Sequence, residues 1–253
     1  MQRSDGRRQD QMRPITIVRH YLEHPEGSVL IQVGGTEVIC TASVEDERPR
    51  FMKAQNIRNK GWVTAEYSML PRSTHDRMQR EVTRGRASGR TQEIQRLIGR
   101  SMRAITNLQE LGERTIWLDC DVIQADGGTR TSAITGAFIA LWDACKWLQD
   151  RGAIKKIPIE TNAAAISVGI VEGSPLLDLS YEEDSKADVD MNIIMTGDGR
   201  FIELQGTAEE SPFSKSELDQ MIEFGTSGIG DLVQLQNQLI DEGLDEASIG
   251  DAE

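Results

Sequence analysis

Residues 115–150 limit the folds open to this chain more than any other stretch. In Thr115-Ile116-Trp117-Leu118-Asp119-Cys120-Asp121-Val122-Ile123, the residues Ile116, Leu118, Cys120 and Val122 alternate with others, the period of a strand with one buried face. Farther on, Ile134, Ala137, Phe138, Leu141, Trp142, Cys145 and Leu148 recur at helical spacing. Between them stands Gln124-Ala125-Asp126-Gly127-Gly128-Thr129-Arg130-Thr131-Ser132. The pattern predicts a strand over 115–123, a glycine turn and a helix over 132–150. A glycine pair at such a turn lets backbone N–H groups approach an anion, and the free N–H groups of the helix start point the same way. Thr129 adds a hydroxyl, and Arg130 a planar fork of donors suited to phosphate. The plainer reading is a Gly-Gly turn in which Thr131 or Ser132 caps the helix.

Upstream, residues 15–19, 28–33 and 36–44 read as strands, with Gly34-Gly35 a hairpin turn. Residues 45–61 are polar and irregular, and 62–70 hold a further short strand. Residues 71–90 are rich in Arg, Ser and Gly with few apolar anchors, which predicts a long, mobile, functional loop. A single helix is expected over 91–111, with Ile94, Leu97, Ile98, Ile105, Leu108 and Leu111 as its apolar stripe and Gly112 closing it. Downstream, strands are expected over 163–171 and 175–180, and over 189–196 and 200–205 around Gly197-Asp198-Gly199. A last helix begins near Ser214, with Glu217 completing a capping box. Gly225, Gly228 and Gly230 suggest that it splits in two. Antiparallel hairpins mixed with helices argue for α+β layers. The expected organisation is one domain over 1–240 and an acidic, disordered tail over 241–253.

Net charge is −13, which taken whole argues against a nucleic-acid partner. Its distribution argues otherwise. Residues 72–103 hold nine Arg and three acids, whereas 203–253 hold thirteen acids and one Lys. Base and acid are segregated, so the whole-chain figure misleads. No apolar run is long enough to span a membrane, and the N-terminus lacks the apolar core of a secretory signal. Cys40, Cys120 and Cys145 have neither zinc nor redox spacing, which predicts buried free thiols in a reducing cytoplasm.

Several groups carry possible chemistry. Arg90, just before the expected 91–111 helix, supplies a second arginine to the Gly127–Arg130 turn if the two helix starts lie side by side. In the acidic run 178–190, Asp184 and Asp190 suit one Mg²⁺, which needs only one or two carboxylates besides water and phosphate. Either also suits general acid chemistry. Arg72, Arg77, Arg80, Arg84 and Arg86 on the long loop suit a phosphate backbone. His20, His24 and His75 lack metal-ligand spacing, and there is no P-loop or dinucleotide fingerprint. Aromatic residues are few, so base stacking is not expected to dominate RNA contact.

Taken together these segments resemble the ribonuclease PH family. The resemblance covers roughly residues 2–240 and rests on ordered blocks. They are Arg3-Ser4-Asp5-Gly6-Arg7, Gly61-Trp62-Val63-Thr64-Ala65-Glu66-Tyr67, Met69-Leu70-Pro71-Arg72-Ser73-Thr74, Gly89-Arg90-Thr91-Gln92-Glu93, Leu118 through Arg130, Asp188-Val189-Asp190-Met191-Asn192 and Glu203-Leu204-Gln205-Gly206-Thr207. It implies a fold of two βαβα-type halves similar to ribosomal protein S5 domain 2, assembled as a homo-hexameric ring, a trimer of dimers. It implies a phosphorolytic 3′-to-5′ exoribonuclease that trims tRNA precursors, and other RNA 3′ ends including rRNA, and that runs in reverse as a nucleotidyltransferase. Inorganic phosphate, the co-substrate, would be held by Arg90, Gly128, Thr129 and Arg130. Asp190 and Asp184 would be the catalytic and Mg²⁺-binding carboxylates, and Arg72, Arg77 and Arg80 the RNA contacts. The sequence departs from the family pattern in a longer 54–60 segment and in Ser68, where glycine is expected. Two other readings are a catalytically silent RNA-binding ring subunit and a Mg²⁺-dependent hydrolytic nuclease using Asp178, Asp184 and Asp190.

Overall fold

The computed structural model describes residues 3–209 and 211–250, apart from the side chains of Val82 and Arg84. In chain order the first half holds β1 (Ile15–Arg19), β2 (Gly27–Val33), β3 (Thr36–Glu45), α1 (Arg50–Ala54), β4 (Trp62–Met69), α2 (Gly89–Ala104), α3 (Leu108–Leu111), β5 (Thr115–Gln124) and α4 (Thr129–Asp150). The second holds β6 (Ala163–Val171), β7 (Ser174–Leu177), α5 (Tyr181–Asp184), β8 (Val189–Thr196), β9 (Phe201–Ala208), α6 (Lys215–Asp241) and β10 (Glu246–Ile249). The fold is α+β, with two sheet-containing halves. One sheet runs β10-β1-β2-β3-β5-β4, the other β7-β6-β8-β9. Among the described residues only β4 and β5 pair in parallel, which requires the α2 crossover between them.

Helix α4 organises the whole. Ile116, Leu118, Cys120 and Val122 turn inward from β5 as their alternation predicts, and α4 packs on this sheet through β2 and β3 and on the other through β6. A helix covered on two sides must be apolar nearly all round. Ala133, Ile134, Ala137, Phe138, Ile139, Ala140 and Leu141 are accordingly all buried. The three cysteines are free and buried, and no helix among the described residues is long and apolar enough to cross a membrane.

Several expected elements differ. The 91–111 helix is two helices, because Thr106 leaves the spiral to bridge Ile159 and Asn107 caps α3 by accepting from Glu110 N–H at 3.2 Å. The 132–150 helix begins three residues early: Gly128 is its N-cap, and Thr131 instead donates to the Gly128 carbonyl at 2.8 Å. The final helix does not split. A Cβ at Gly225 would stand 2.5 Å from Ile193 Cδ1, and one at Gly228 2.8 Å from Ile166 Cδ1, so these glycines permit close packing of α6 on the second sheet rather than breaking it. Segment 45–61 contains α1, and the 71–90 loop contains a single 3₁₀ turn, Glu81–Arg84. The strand expected over 175–180 is the shorter β7, because Ser180 caps α5.

The tail expected to be disordered forms β10. Its acidic composition concealed its partner, the free edge of β1, to which it pairs antiparallel with Ile15 opposite Ile249. Residues 251–253 of that tail lie outside the described residues.

Candidate active site

The two helix starts do come together. A cleft of about 480 Å³ is lined by Arg90 of α2, by Gly127, Gly128, Thr129 and Arg130 at the start of α4, and by Asp184 of α5 and Asp190 of β8. Ser167, Asn192, Tyr181, Met69 and the loop residues Thr74, His75, Asp76 and Met78 complete its walls.

Local folding explains the placement. Gly127 and Gly128 have φ of 74° and 65°, left-handed values that side-chain-bearing residues seldom adopt, so the turn needs both glycines. It leaves the first N–H groups of α4 without helical partners. Thr129 is fixed from behind by the Tyr67 hydroxyl at 2.8 Å, and burial pushes that phenol's pKa up, so it stays protonated. Arg130 donates to Gln205 Oε1 at 3.1 Å and lies 3.9 Å from Glu93, while the Gln205 amide donates to Glu93. Its guanidinium is thereby aimed before any ligand arrives. Arg90 stands in the first turn of α2, which Ser88 caps by accepting from Thr91 N–H at 3.1 Å.

The carboxylates come from the second half. Along β8, Asp190 and Asn192 share one face, and Asn192 is opposite Ser167 on one side and Gln205 on the other. Asp184 ends the single turn of α5, started by a Ser180–Glu183 capping box. Partial desolvation raises the pKa of the solvent-facing Asp184, against the opposing pull of Arg90 and Arg130. Burial also raises that of Asp190, the Asp184 charge raises it further, and Arg130 and Arg90 again oppose. The site is thus two carboxylates reluctant to ionise together beside two guanidinium groups. Two carboxylates suit a hard divalent ion that takes its other ligands from water and phosphate oxygens. Among the described residues no three or more His, Cys, Asp or Glu gather into a metal site made of protein alone.

Other expected residues lie elsewhere. Arg72, Arg77 and Arg80 are exposed and do not line this cleft; Arg72 borders an adjoining hollow with Gln124 and Asp126. The Arg84 side chain lies outside the described residues. Asp178 is withdrawn from the cleft carboxylates by a buried pairing with Arg13 at 2.7 Å. Sequence reasoning missed Tyr67, Ser167, Asn192, His75 and Tyr181. For Asn192 the signal was present, since a residue two beyond Asp190 on a strand shares its face; Tyr67 stood inside the Gly61–Tyr67 block, and for the others no local signal pointed to the cleft.

Residues 11–146 match domain 1 of the 3′ exoribonuclease family and residues 161–228 match its domain 2. Ribonuclease PH of Syntrophomonas wolfei is 54% identical over 240 residues, 95% of this chain and 99% of that protein. Rice Rrp46 superposes with a TM-score of 0.74 at 20% identity, over 94% of this chain and 100% of its own. The Archaeoglobus fulgidus exosome with RNA bound to its active site gives 0.76 at 18% identity, over 96% and 93%. At such identities the structural likeness concerns the fold alone.

Proposed function

The chain belongs to the 3′ exoribonuclease family, and we propose that it is a phosphorolytic 3′-to-5′ exoribonuclease that trims tRNA precursor ends with inorganic phosphate. The observation that carries this reading is the meeting of Arg90, Gly128, Thr129 and Arg130 with Asp184 and Asp190 in one cleft. Phosphate replaces water as the attacking group on the 3′-terminal phosphodiester, and the product is a nucleoside diphosphate. The attacking anion must approach an anionic backbone. Arg130, preset by Gln205, together with Arg90 and the N–H groups of the α4 start, offsets that repulsion. Asp184 and Asp190 would hold Mg²⁺, which supplies charge neutralisation at the scissile phosphate. In place of that metal role, a protonated Asp190, whose pKa is raised by burial and by the Asp184 charge, would protonate the departing 3′ oxygen. No covalent intermediate is needed, which agrees with the lack of an activated nucleophile in the sequence.

The exposed Arg72, Arg77 and Arg80 grip the RNA backbone. Arg77 and Arg80 do not line their own chain's cleft; in a ring of six copies, a trimer of dimers, these loops would be shared among neighbours. The three buried free thiols favour a cytoplasmic setting. A silent ring subunit would have no need of the paired arginines and carboxylates, and a hydrolytic nuclease would leave the glycine turn without a task.

Arg77→Ala is expected to weaken RNA binding and to reduce the slope of log affinity against log salt by about one. Identical binding curves for variant and wild type at several salt concentrations would remove Arg77 from the RNA surface. Phosphorolysis itself is testable in reverse. With Mg²⁺ and a nucleoside diphosphate, the protein should lengthen an RNA 3′ end and release inorganic phosphate. A hydrolase cannot do this, so failure to extend under conditions that support trimming would reject the reading.

A further inference from the structure

Behind the cleft lies a buried cluster of charge that the proposed chemistry does not use. Arg13 grips Asp178 with both edges of the pair: Nε donates to Oδ2 at 2.9 Å and Nη2 to Oδ1 at 2.7 Å, and the Arg13 backbone N–H adds a third bond at 2.8 Å. Its remaining Nη1 donates to the carbonyl of Asp126, the residue that opens the glycine turn. The guanidinium lies under that turn, where a Cβ at Gly128 would stand 3.2 Å from Nη2. Arg3 pairs likewise with Glu183, at 2.7 Å to each oxygen, and donates to the carbonyls of Leu177 and Asp178 at 2.9 Å. Glu183 is the capping-box residue of α5, directly before Asp184. Arg7 adds a bond to the Asp178 carbonyl at 3.0 Å. Asp178 itself sits at φ 52°, a backbone strain that this packing sustains.

Stability alone is a weak reason for such a cluster. Apolar replacements of buried ion pairs are often as stable, because desolvation consumes most of the attraction. What apolar residues do not provide is direction. Among the arm's bonds, those from Arg13 to the Asp126 carbonyl and from Arg3 to Glu183 reach the two places where the cleft must hold its shape, the Gly127–Thr129 turn and the α5 turn that carries Asp184.

We propose that the N-terminal arm, residues 3–13, is a positioning element of the active site: Arg13 with Asp178 holds the glycine turn in its anion-binding form, and Arg3 with Glu183 holds α5 so that Asp184 faces the cleft. This rests on the phosphorolytic reading. Neither arginine touches substrate; each acts through the backbone it fixes. Misplacing a reacting group by about 1 Å costs on the order of 10²-fold in rate, so small relaxations of either turn are measurable.

The test compares Arg13→Lys with Arg19→Lys. The latter weakens another buried ion pair, Arg19 to Asp143 at 2.5 Å, neither partner of which lines the cleft. Lysine keeps the charge and loses the planar fork. Melting temperature, RNA affinity, kcat and the KM for phosphate are measured for both variants and wild type. Arg13→Lys is expected to raise the phosphate KM about tenfold or more with RNA affinity unchanged, whereas Arg19→Lys lowers the melting temperature without moving that KM. A phosphate KM unaffected by Arg13→Lys, or moved equally by Arg19→Lys, overturns the proposal. If Arg13→Lys fails to fold, Arg3→Lys decides: kcat should fall about tenfold or more, and an unchanged kcat overturns it. A wild-type protein whose rate ignores phosphate would instead overturn the phosphorolytic reading, and that result is visible before any variant is made.

Discussion

Arg130→Ala should lower turnover at subsaturating phosphate by about 10²-fold or more, while RNA affinity stays nearly as in wild type. The size of the effect follows from how the side chain is held. Arg130 has only 14% of its side-chain surface exposed and is steered by Gln205 at 3.1 Å, so its charge is fixed toward the cleft before phosphate binds. A largely buried, preset donor stabilises developing charge far more than a mobile surface arginine. Alanine removes that donor and leaves the Gly128 N-cap intact, since Thr129 remains tied to Tyr67. Rising phosphate concentration should recover part of the loss. Turnover equal to wild type at low phosphate would remove Arg130 from the phosphate site.

Asp190→Asn should cost about 10²- to 10⁴-fold in turnover, the range of a lost general acid or base. It should also stabilise the free protein at neutral pH. Burial and the neighbouring Asp184 raise the Asp190 pKa in the folded state, so the folded protein binds that proton more tightly than the unfolded chain does. As pH rises from the ordinary Asp value through the raised one, wild type loses stability that the neutral amide retains. Below the ordinary value, about pH 4, both states of wild type are protonated and the difference should vanish. A melting temperature for Asp190→Asn equal to wild type at pH 7 and at pH 3.5 would contradict the reading of Asp190 as a strained carboxylate. A group that is costly to keep and indispensable to turnover is the usual signature of a functional site.

How much of this could be read from the chain depended on whether the signal was local. The β5 strand was legible because Ile116, Leu118, Cys120 and Val122 alternate, and the α4 helix because a helical pattern follows two adjacent glycines, although it starts three residues before the expected position. The β10 strand was not, because an edge strand is defined by the free edge it meets, and acidic composition pointed the other way. The same holds for α6: glycines in a helical pattern read as breaks until Ile166 and Ile193 are found against them. In the site, Arg90 and Asp190 each came from a local motif, but their meeting is a product of how α2 and α4 start side by side and how β8 is ordered in the second sheet. Asp178 shows the opposite failure. In sequence it is one more carboxylate in an acidic run, and only the folded chain brings Arg13, 165 residues away, to withdraw it from metal chemistry.

In the proposed reaction phosphate, not water, breaks the RNA chain. A tRNA precursor with a 3′ extension, Mg²⁺ and the purified protein, with and without inorganic phosphate, tests it most directly through the identity of the released nucleotide. Nucleoside diphosphates are expected, and only when phosphate is present. Nucleoside monophosphates released without phosphate would contradict it, and RNA binding without any release would place the protein among the silent subunits.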